Sequence, residues 1–166
     1  KKYLLEALKI NPNFEYLKGA LTLVRNNLCD WQDYEVNLNK IKNDINNKKL
    51  YVLELNSELI GCVSITLEMD EFYKKINWIS QTDKNMYVHR LAVHPKYQGN
   101  GYAKLIMNFI EKKAITHTCM SVRLDTFSIN NKNNIFYSKL GYQKLGQIYF
   151  RDQSDMPFNC YEKPLK

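Results

Sequence analysis

The chain has 166 residues, of which 45% are hydrophobic and 25% charged, and its formal net charge is +7. This length predicts one domain, residues 1–166, that buries its own core, and the scarcity of glycine (6) and proline (4) excludes a disordered or collagen-like chain. No apolar run approaches the roughly 18 residues that a membrane helix needs, and the charged start of the chain is unlike a signal peptide. We therefore expect a soluble, cytoplasmic protein.

The first part of the chain is predicted to be mainly helical. Residues 3–9 indicate a short strand, and Asn11-Pro12 supplies the N-cap and first-turn residues that begin a helix. Apolar residues then recur at three- and four-residue steps, which predicts one buried helix face. They are Phe14, Leu17, Leu21, Val24 and Leu28. A second amphipathic segment contains Val36, Leu38, Ile41 and Ile45.

The rest of the chain alternates predicted strands and helices. The strands cover residues 50–55, 59–67, 86–93, 120–127, 142–150 and 158–162, and the helices cover residues 101–114 and 132–140. Asn56-Ser57-Glu58 is predicted to be a hairpin turn, and Gly141 a left-handed helix C-cap. Residues 120–127 alternate apolar and polar side chains, which predicts a strand buried on one face only. The element order is mixed α/β.

One strand–loop–helix junction has the features of an anion site. The strand ends at Val93, a loop with Gly99 and Gly101 follows, and a helix begins at once. Unpaired backbone N–H groups at a helix N-terminus bind phosphate, and glycine lets phosphate oxygens approach the backbone. The chain lacks G-x-x-x-x-G-K-S/T and G-x-G-x-x-G, which argues against a P-loop and a Rossmann site. Alone, the junction indicates a phosphate-bearing ligand or a tight turn without one.

Two blocks of residues in this region resemble the GNAT (Gcn5-related) N-acetyltransferase family. Gln98-x-x-Gly101-x-Ala103 is similar to the family's acetyl-CoA motif, R/Q-x-x-G-x-G/A. Asn130-x-x-Asn133-x-x-Phe136-Tyr137-x-x-x-Gly141-Tyr142 is similar to its second block, and a helix and a strand separate the two, as in the family. The resemblance implies a GNAT-like α/β fold, with a mostly antiparallel central sheet of about six to seven strands, splayed at the acetyl-CoA slot, and about four helices.

The resemblance also implies acetyl-CoA as the co-substrate. In the family, the glycine loop holds the CoA pyrophosphate, the end of the third strand hydrogen-bonds the pantetheine arm, and a bulge there opens the thioester slot. The Val93 N–H would stabilise the oxyanion. The implied cofactor-binding residues are Leu91, Ala92, Val93, Gln98, Gly99, Asn100, Gly101, Tyr102, Ala103, Asn130, Asn133 and Tyr137.

Tyr137 and His89 are the implied catalytic residues. Tyr137 matches the family's tyrosine, and a phenol with a pKa of about 10 can protonate the departing CoA thiolate. Phe136 beside it is interpreted as a packing residue. His89 stands where the family often has a glutamate, and an imidazole with a pKa of about 6.5 can act as general base. A structural or substrate-binding role for His89 agrees equally well with the sequence.

Cysteine and histidine spacing argues against a metal or a covalent intermediate. Cys29, Cys62, Cys119 and Cys160 form no C-x-x-C pair, and no histidine stands at metal-ligand spacing from them. Free buried thiols in a reducing compartment are the favoured interpretation. Because nothing pairs Cys119 with His117 as thiolate and imidazole, direct acetyl transfer is favoured.

The main hypothesis is therefore an acetyl-CoA-dependent N-acetyltransferase acting on an amine of a small molecule or peptide. The alternative is a non-catalytic acyl-CoA-binding sensor or scaffold module. Aromatic residues in segments 27–34 and 70–85 either line the acceptor site or cover a sheet edge. The lysines are spread along the chain, so no nucleic-acid or membrane partner is expected. A homodimer is common in such folds, but no sequence feature demonstrates one here.

Overall fold

The structure, a computed structural model, describes residues 34–151 and 153–165, with side chains from residue 39 onward. Its helices are α1 (Tyr34–Asn46), α2 (Tyr102–Thr116) and α3 (Asn131–Lys139). Its strands are β1 (Leu50–Leu55), β2 (Glu58–Thr66), β3 (Asn85–Val93), β4 (Ser121–Phe127), β5 (Gln143–Ile148) and β6 (Phe158–Pro164). The mixed α/β prediction is confirmed, with three helices in the described ranges where about four were expected. The strand and helix predicted within residues 3–28 lie outside those ranges.

The six strands form one sheet in the order β1-β2-β3-β4-β6-β5. The β1–β2, β4–β6 and β5–β6 pairs are antiparallel, whereas β3 and β4 are parallel. A parallel pair needs a crossover connection, and here the crossover contains α2. The predicted mostly antiparallel sheet is therefore confirmed.

The hairpin between β1 and β2 has a two-residue turn. Asn56 and Ser57 have φ angles of +52° and +64°, which is the pattern of a type I′ turn, whose twist matches that of the flanking strands. Glu58, predicted to lie in the turn, is instead the first residue of β2 and pairs with Leu55.

The chain divides into two compact units, and the boundaries fall inside β2, β3 and α2. The first unit includes the described residues up to 65 together with residues 90–109. Its core combines one residue of α1, Ile41, with apolar residues of the strands. The strand residues are Leu50, Val52, Cys62 and Ala92. The burial of Ile41 confirms the amphipathic helix predicted there.

The second unit holds residues 66–89 and the described residues from 110 onward, and its core is rich in aromatic rings. The 3-10 turn Glu71–Lys75 buries Tyr73, and Trp78 is also buried, whereas Phe72 is 43% exposed. Segment 70–85 therefore supplies core residues as well as exposed aromatic surface.

Helix α2 has one apolar face, and that face is buried. Ile106, Met107, Ile110 and Ala114 are each almost inaccessible to solvent. Across the residues that the structure describes, no helix has both the length and the apolar character needed to cross a bilayer.

Strand β4 differs from its prediction, because both of its faces are covered. Ser121 and Arg123, expected on a solvent face, are buried. The Arg123 Nε lies 3.0 Å from Glu162 Oε1, and its guanidinium lies 4.5 Å from the centre of the Trp78 ring. A buried charge is tolerated when it is paired and hydrogen-bonded, so the polar residues of the alternating pattern occupy an interior face.

Candidate active site

The loop between β3 and α2, residues 98–103, will be called the phosphate loop. Gly99 and Gly101 have φ angles of +80° and +82°, a left-handed conformation that favours glycine. A Cβ added at either position would meet no atom within 4 Å, and residues 98–101 are exposed. The glycines are therefore required by the backbone conformation, and the surface of the loop is open.

The phosphate loop leads directly into the 15-residue helix α2. The Leu105 N–H donates to the Gly101 carbonyl at 3.0 Å, so the N–H groups of Tyr102, Ala103 and Lys104 precede the first residue that has an acceptor within the helix. The first turn contains no acidic residue. The positive end of the helix dipole is thus available for an anion.

Two side chains of the loop fix its shape. Gln98 Nε2 donates to the Val93 carbonyl at 3.0 Å, and Asn100 Nδ2 donates to the carbonyls of Tyr97 and Gln98, both at 3.2 Å. The Gln98 bond holds the loop against the end of β3, and the Asn100 bonds fix its turn.

Strand β3 is irregular next to the residues expected to bind pantetheine. Arg90 has a φ of +56° in the middle of the strand, a conformation that is uncommon for any residue other than glycine. Leu91 beyond it is half-buried, and Ala92 and Val93 are buried. An irregularity of this kind re-aims backbone groups, as β-bulges do beside active sites.

A buried ion pair anchors this irregular position. The Arg90 Nη2 lies 2.8 Å from Asp44 Oδ2 of α1, and the Ser64 hydroxyl donates to the same carboxylate. The two charged side chains are 15% and 7% exposed. Arg90 is therefore fixed by Asp44 of α1, whose carboxylate is in turn held by Ser64 of β2.

The parallel ladder between β3 and β4 ends before either strand does. The last pair of the ladder is Val88 opposite Leu124, although both strands continue. The first residue beyond the ladder is His89 on β3 and Asp125 on β4.

Tyr73 contacts both of these residues, and the three will be called the ladder-end group. Its hydroxyl donates to the Asp125 carboxylate, and its ring centroid lies 6.3 Å from that of His89, with 26° between the planes. Burial, followed by the neighbouring Asp125 charge, raises the pKa of Tyr73 well above its ordinary value. Asp125 and Tyr73 were not predicted to be site residues, since 52 positions separate them and no local motif joins them.

Tyr137 lies on α3 within a cluster of aromatic rings. It is 6% exposed, and its ring centroid lies 5.1 Å from that of Phe136 and 6.0 Å from those of Tyr142 and Tyr161. Burial, and then the negative charge of Asp125, raise the pKa of Tyr137 above its usual value near 10. The phenol therefore stays protonated throughout the neutral range.

The two motif asparagines have structural partners. Asn130 caps α3, because its Oδ1 accepts a hydrogen bond from the Asn133 N–H at 3.1 Å. Asn133 Nδ2 donates to Thr126 Oγ1 at 3.4 Å. Gly141, with a φ of +87°, ends the helix as predicted. Contact of Asn130 and Asn133 with the cofactor stays a prediction.

The described cysteines, Cys62, Cys119 and Cys160, are free and buried, as predicted, and Cys29 lies outside the described residues. Cys119 Sγ contacts the backbone carbonyl of His117 at 3.9 Å and not its imidazole. Burial raises the pKa of Cys62 to about 12, which is the opposite of an activated thiolate. In the part of the chain that the structure describes, no cluster of His, Cys, Asp or Glu could hold a metal ion.

Comparison with known proteins agrees with this geometry. The model of the acetyltransferase (GNAT) family matches residues 15–142. An acetyltransferase of the GNAT family from Streptococcus agalactiae is similar in structure, with a TM-score of 0.80 and 20% identity over 99% of this chain and 95% of that chain.

Two further solved structures are similar across nearly their whole length. The NatC complex bound to Gag peptide and CoA gives a TM-score of 0.70 at 18% identity, covering 99% of this chain and 98% of that one. Aminoglycoside 6'-acetyltransferase type Ii gives 0.68 at 16% identity, covering 99% and 97%. At these identities the structures establish the fold, and the match to the family model covers most of the sequence. The chain belongs to the GNAT acetyltransferase family.

Proposed function

We propose that this protein is an acetyl-CoA-dependent N-acetyltransferase that moves the acetyl group directly to an amine of a small molecule or peptide. Its family supports acetyl transfer in general, and the amine acceptor is the more specific part of the proposal. The observation that carries it is the exposed phosphate loop, whose two left-handed glycines lead into the N-terminus of α2.

The residues of the phosphate loop fit the CoA pyrophosphate. The N–H groups at the start of α2 supply donors, the helix dipole favours an anion, and no carboxylate stands in the first turn to repel it. The proposal assigns the pyrophosphate to residues 98–103 and the pantetheine arm to the backbone of Leu91, Ala92 and Val93. The CoA bound in the NatC structure supports the same ligand class.

Acetyl-CoA supplies an activated acetyl group as a thioester. The acceptor nitrogen forms a bond to the carbonyl carbon, and the bond from that carbon to sulfur breaks. We assign the Val93 N–H to the carbonyl oxygen as it gains charge. His89 accepts the proton that the amine loses, and Tyr137 gives its hydroxyl proton to the sulfur. Burial and the charge of Asp125 raise the pKa of Tyr137, so its hydroxyl carries the proton throughout the neutral range.

The alternative, a CoA-binding module without chemistry, is favoured by one observation: His89 stands where the family often has a glutamate. An assay of thiol release with acetyl-CoA and a panel of primary amines, aminoglycosides and peptides with free N-termini separates the two. We expect an acetylated product, identified by mass spectrometry, whose rate of formation falls by about 10²–10⁴ in Tyr137→Phe and not in Tyr142→Phe. CoA binding without product from any amine would favour the binding module.

The proposal keeps the cytoplasm as the location and excludes nucleic acid as a partner. The three described cysteines are free thiols, which agrees with a reducing compartment. Nucleic-acid binding driven by the charge of +7 would fall steeply with salt. We expect no binding of DNA or RNA at physiological salt, as measured by fluorescence anisotropy.

A further inference from the structure

We propose that the buried pair of Asp44 and Arg90 positions the co-substrate, because it holds β3 in the conformation that presents the backbone of residues 91–93 to the pantetheine arm. This inference rests on the proposed function, since it concerns the CoA slot of the same site. Asp44 and Arg90 are thereby positioning residues, which act through the backbone of β3. Neither belongs to the two blocks that resemble the family.

The first argument is the backbone conformation of β3. Arg90, with a φ of +56°, is the one residue of Asn85–Val93 with a positive φ. A backbone outlier of this kind is costly, persists only where its surroundings enforce it, and is typical of functional sites. Leu91 follows at once, so the conformation of Arg90 sets the direction of the three residues assigned to pantetheine.

The second argument is that stability alone explains the ion pair poorly. The Arg90 Nη2 lies 2.8 Å from Asp44 Oδ2, but the Arg90 Nε is buried and has no hydrogen-bond partner among the described residues. Burying two charges costs desolvation energy, and apolar residues of similar volume are often as stabilising. An unpaired buried N–H adds to that cost. The pair is better explained as a device that fixes one backbone conformation.

The third argument is that residues 91–93 are held at both ends. On the N-terminal side, Arg90 binds Asp44 of α1, and the Ser64 hydroxyl of β2 donates to the same carboxylate. On the C-terminal side, the His94 N–H donates to the Ile60 carbonyl of β2 at 2.8 Å. All of these residues, and the phosphate loop, belong to the first unit. Removing the ion pair therefore releases one of the two ends.

The test compares two replacements of Arg90 that remove the ion pair equally. Arg90→Ala leaves a residue that disfavours a positive φ, whereas Arg90→Gly leaves one that adopts it readily. The probes are CoA and adenosine 3'-phosphate 5'-diphosphate, which carries the same nucleotide and pyrophosphate but lacks the pantetheine arm. The ratio of their Kd values, measured by isothermal titration calorimetry, reports the contribution of the pantetheine arm alone.

We expect the wild-type protein to bind CoA more tightly than the truncated nucleotide. In Arg90→Ala this preference should fall by about tenfold, as expected for one or two lost hydrogen bonds, while the affinity for the truncated nucleotide stays unchanged. Arg90→Gly should keep most of the preference, because glycine adopts the required conformation without the ion pair. A purely stabilising role for Arg90 would leave the ratio unchanged in both variants. Equal losses of the preference in both variants would also overturn the proposal.

Two further variants control for stability. Lys48 is exposed and has a φ of +55° in the same unit, so Lys48→Ala makes a matched change away from β3 and should keep the preference. Ser64→Ala removes only the hydroxyl that holds Asp44, and we expect a smaller loss of the preference than in Arg90→Ala. If Arg90→Ala does not fold, Ser64→Ala decides, and an unchanged preference there would overturn the proposal.

The same titrations separate this inference from the proposed function. If the wild-type protein binds CoA but the preference is absent, or survives in Arg90→Ala, only this inference fails. If the wild-type protein does not bind CoA, the proposed function fails as well.

Discussion

The phosphate loop and the ladder-end group are encoded in different ways. The loop is contiguous in sequence, and its two glycines adopt the left-handed conformation that favours this residue type. The ladder-end group joins Tyr73, His89 and Asp125 from three separate segments. A site built from backbone groups can thus be predicted from a short motif, whereas a site built from side chains depends on strand register and long-range packing.

The largest expected effect is on catalysis and concerns Tyr137. Tyr137→Phe removes the hydroxyl assigned to protonate the sulfur, and we expect kcat to fall by about 10²–10⁴ with CoA affinity unchanged. Steady-state kinetics and calorimetry measure the two quantities. Tyr142→Phe is the matched control, because it is a buried tyrosine whose ring adjoins that of Tyr137. A wild-type rate in Tyr137→Phe would leave Tyr137 as a packing residue.

The second prediction concerns the buried ion pair between Arg123 and Glu162. The Glu162 carboxylate binds Arg123 and accepts hydrogen bonds from the Ile79 and Ser80 N–H groups. Glu162→Gln leaves the buried guanidinium without its counter-charge, so we expect a loss of about 3–5 kcal/mol of unfolding free energy in urea titrations.

A second ion pair in the same unit provides the control for Glu162→Gln. Lys163 and Glu111 are paired at 2.8 Å, but their side chains are 28% and 18% exposed. We expect Glu111→Gln to cost about 1 kcal/mol or less. Equal losses in the two variants would contradict the structural role assigned to the buried pair.

The third prediction concerns Gly101 in the phosphate loop and the affinity for CoA. Gly101→Asp forces a side chain into a left-handed conformation and adds a negative charge beside the pyrophosphate site. We expect CoA affinity to fall by about 10²–10³-fold in calorimetry, from lost charged hydrogen bonds and backbone strain together. Gly101→Asn adds a side chain of the same size without the charge and should lose less, because the repulsion of the pyrophosphate is absent. Unchanged affinity in Gly101→Asp would remove the assignment of the loop.

The smallest expected effect tests burial in the core of the first unit. Because burial raises the pKa of Cys62 from 9.0 to about 12, the thiol stabilises the fold below pH 9 and this contribution is lost as pH rises from 9 to 12. At pH 10 the loss is about 1.4 kcal/mol. The fall in unfolding free energy between pH 8 and pH 10 should therefore be about that much smaller in Cys62→Ala. An identical fall in both proteins would contradict the shift.

Elements that depend on local sequence patterns were predicted, whereas contacts between distant residues were not. The hairpin, α1, α2 and the Gly141 cap follow from local patterns, and the structure confirms them. The prediction for β4 was wrong about exposure, because Arg123 finds a buried partner on β6 that alternation cannot reveal. The hydrogen bond between Tyr73 and Asp125 was not predicted for the same reason, because the two residues lie 52 positions apart in the chain.

The measurement that tests the central claim most directly is a thermal-shift titration of wild-type protein with acetyl-CoA, CoA and ATP in parallel. A ligand that binds only the folded state raises the Tm as its concentration passes its Kd. We expect acetyl-CoA and CoA to raise the Tm and ATP to have little effect. No shift with either CoA compound would contradict the assignment of the phosphate loop and, with it, the proposed acetyltransferase activity.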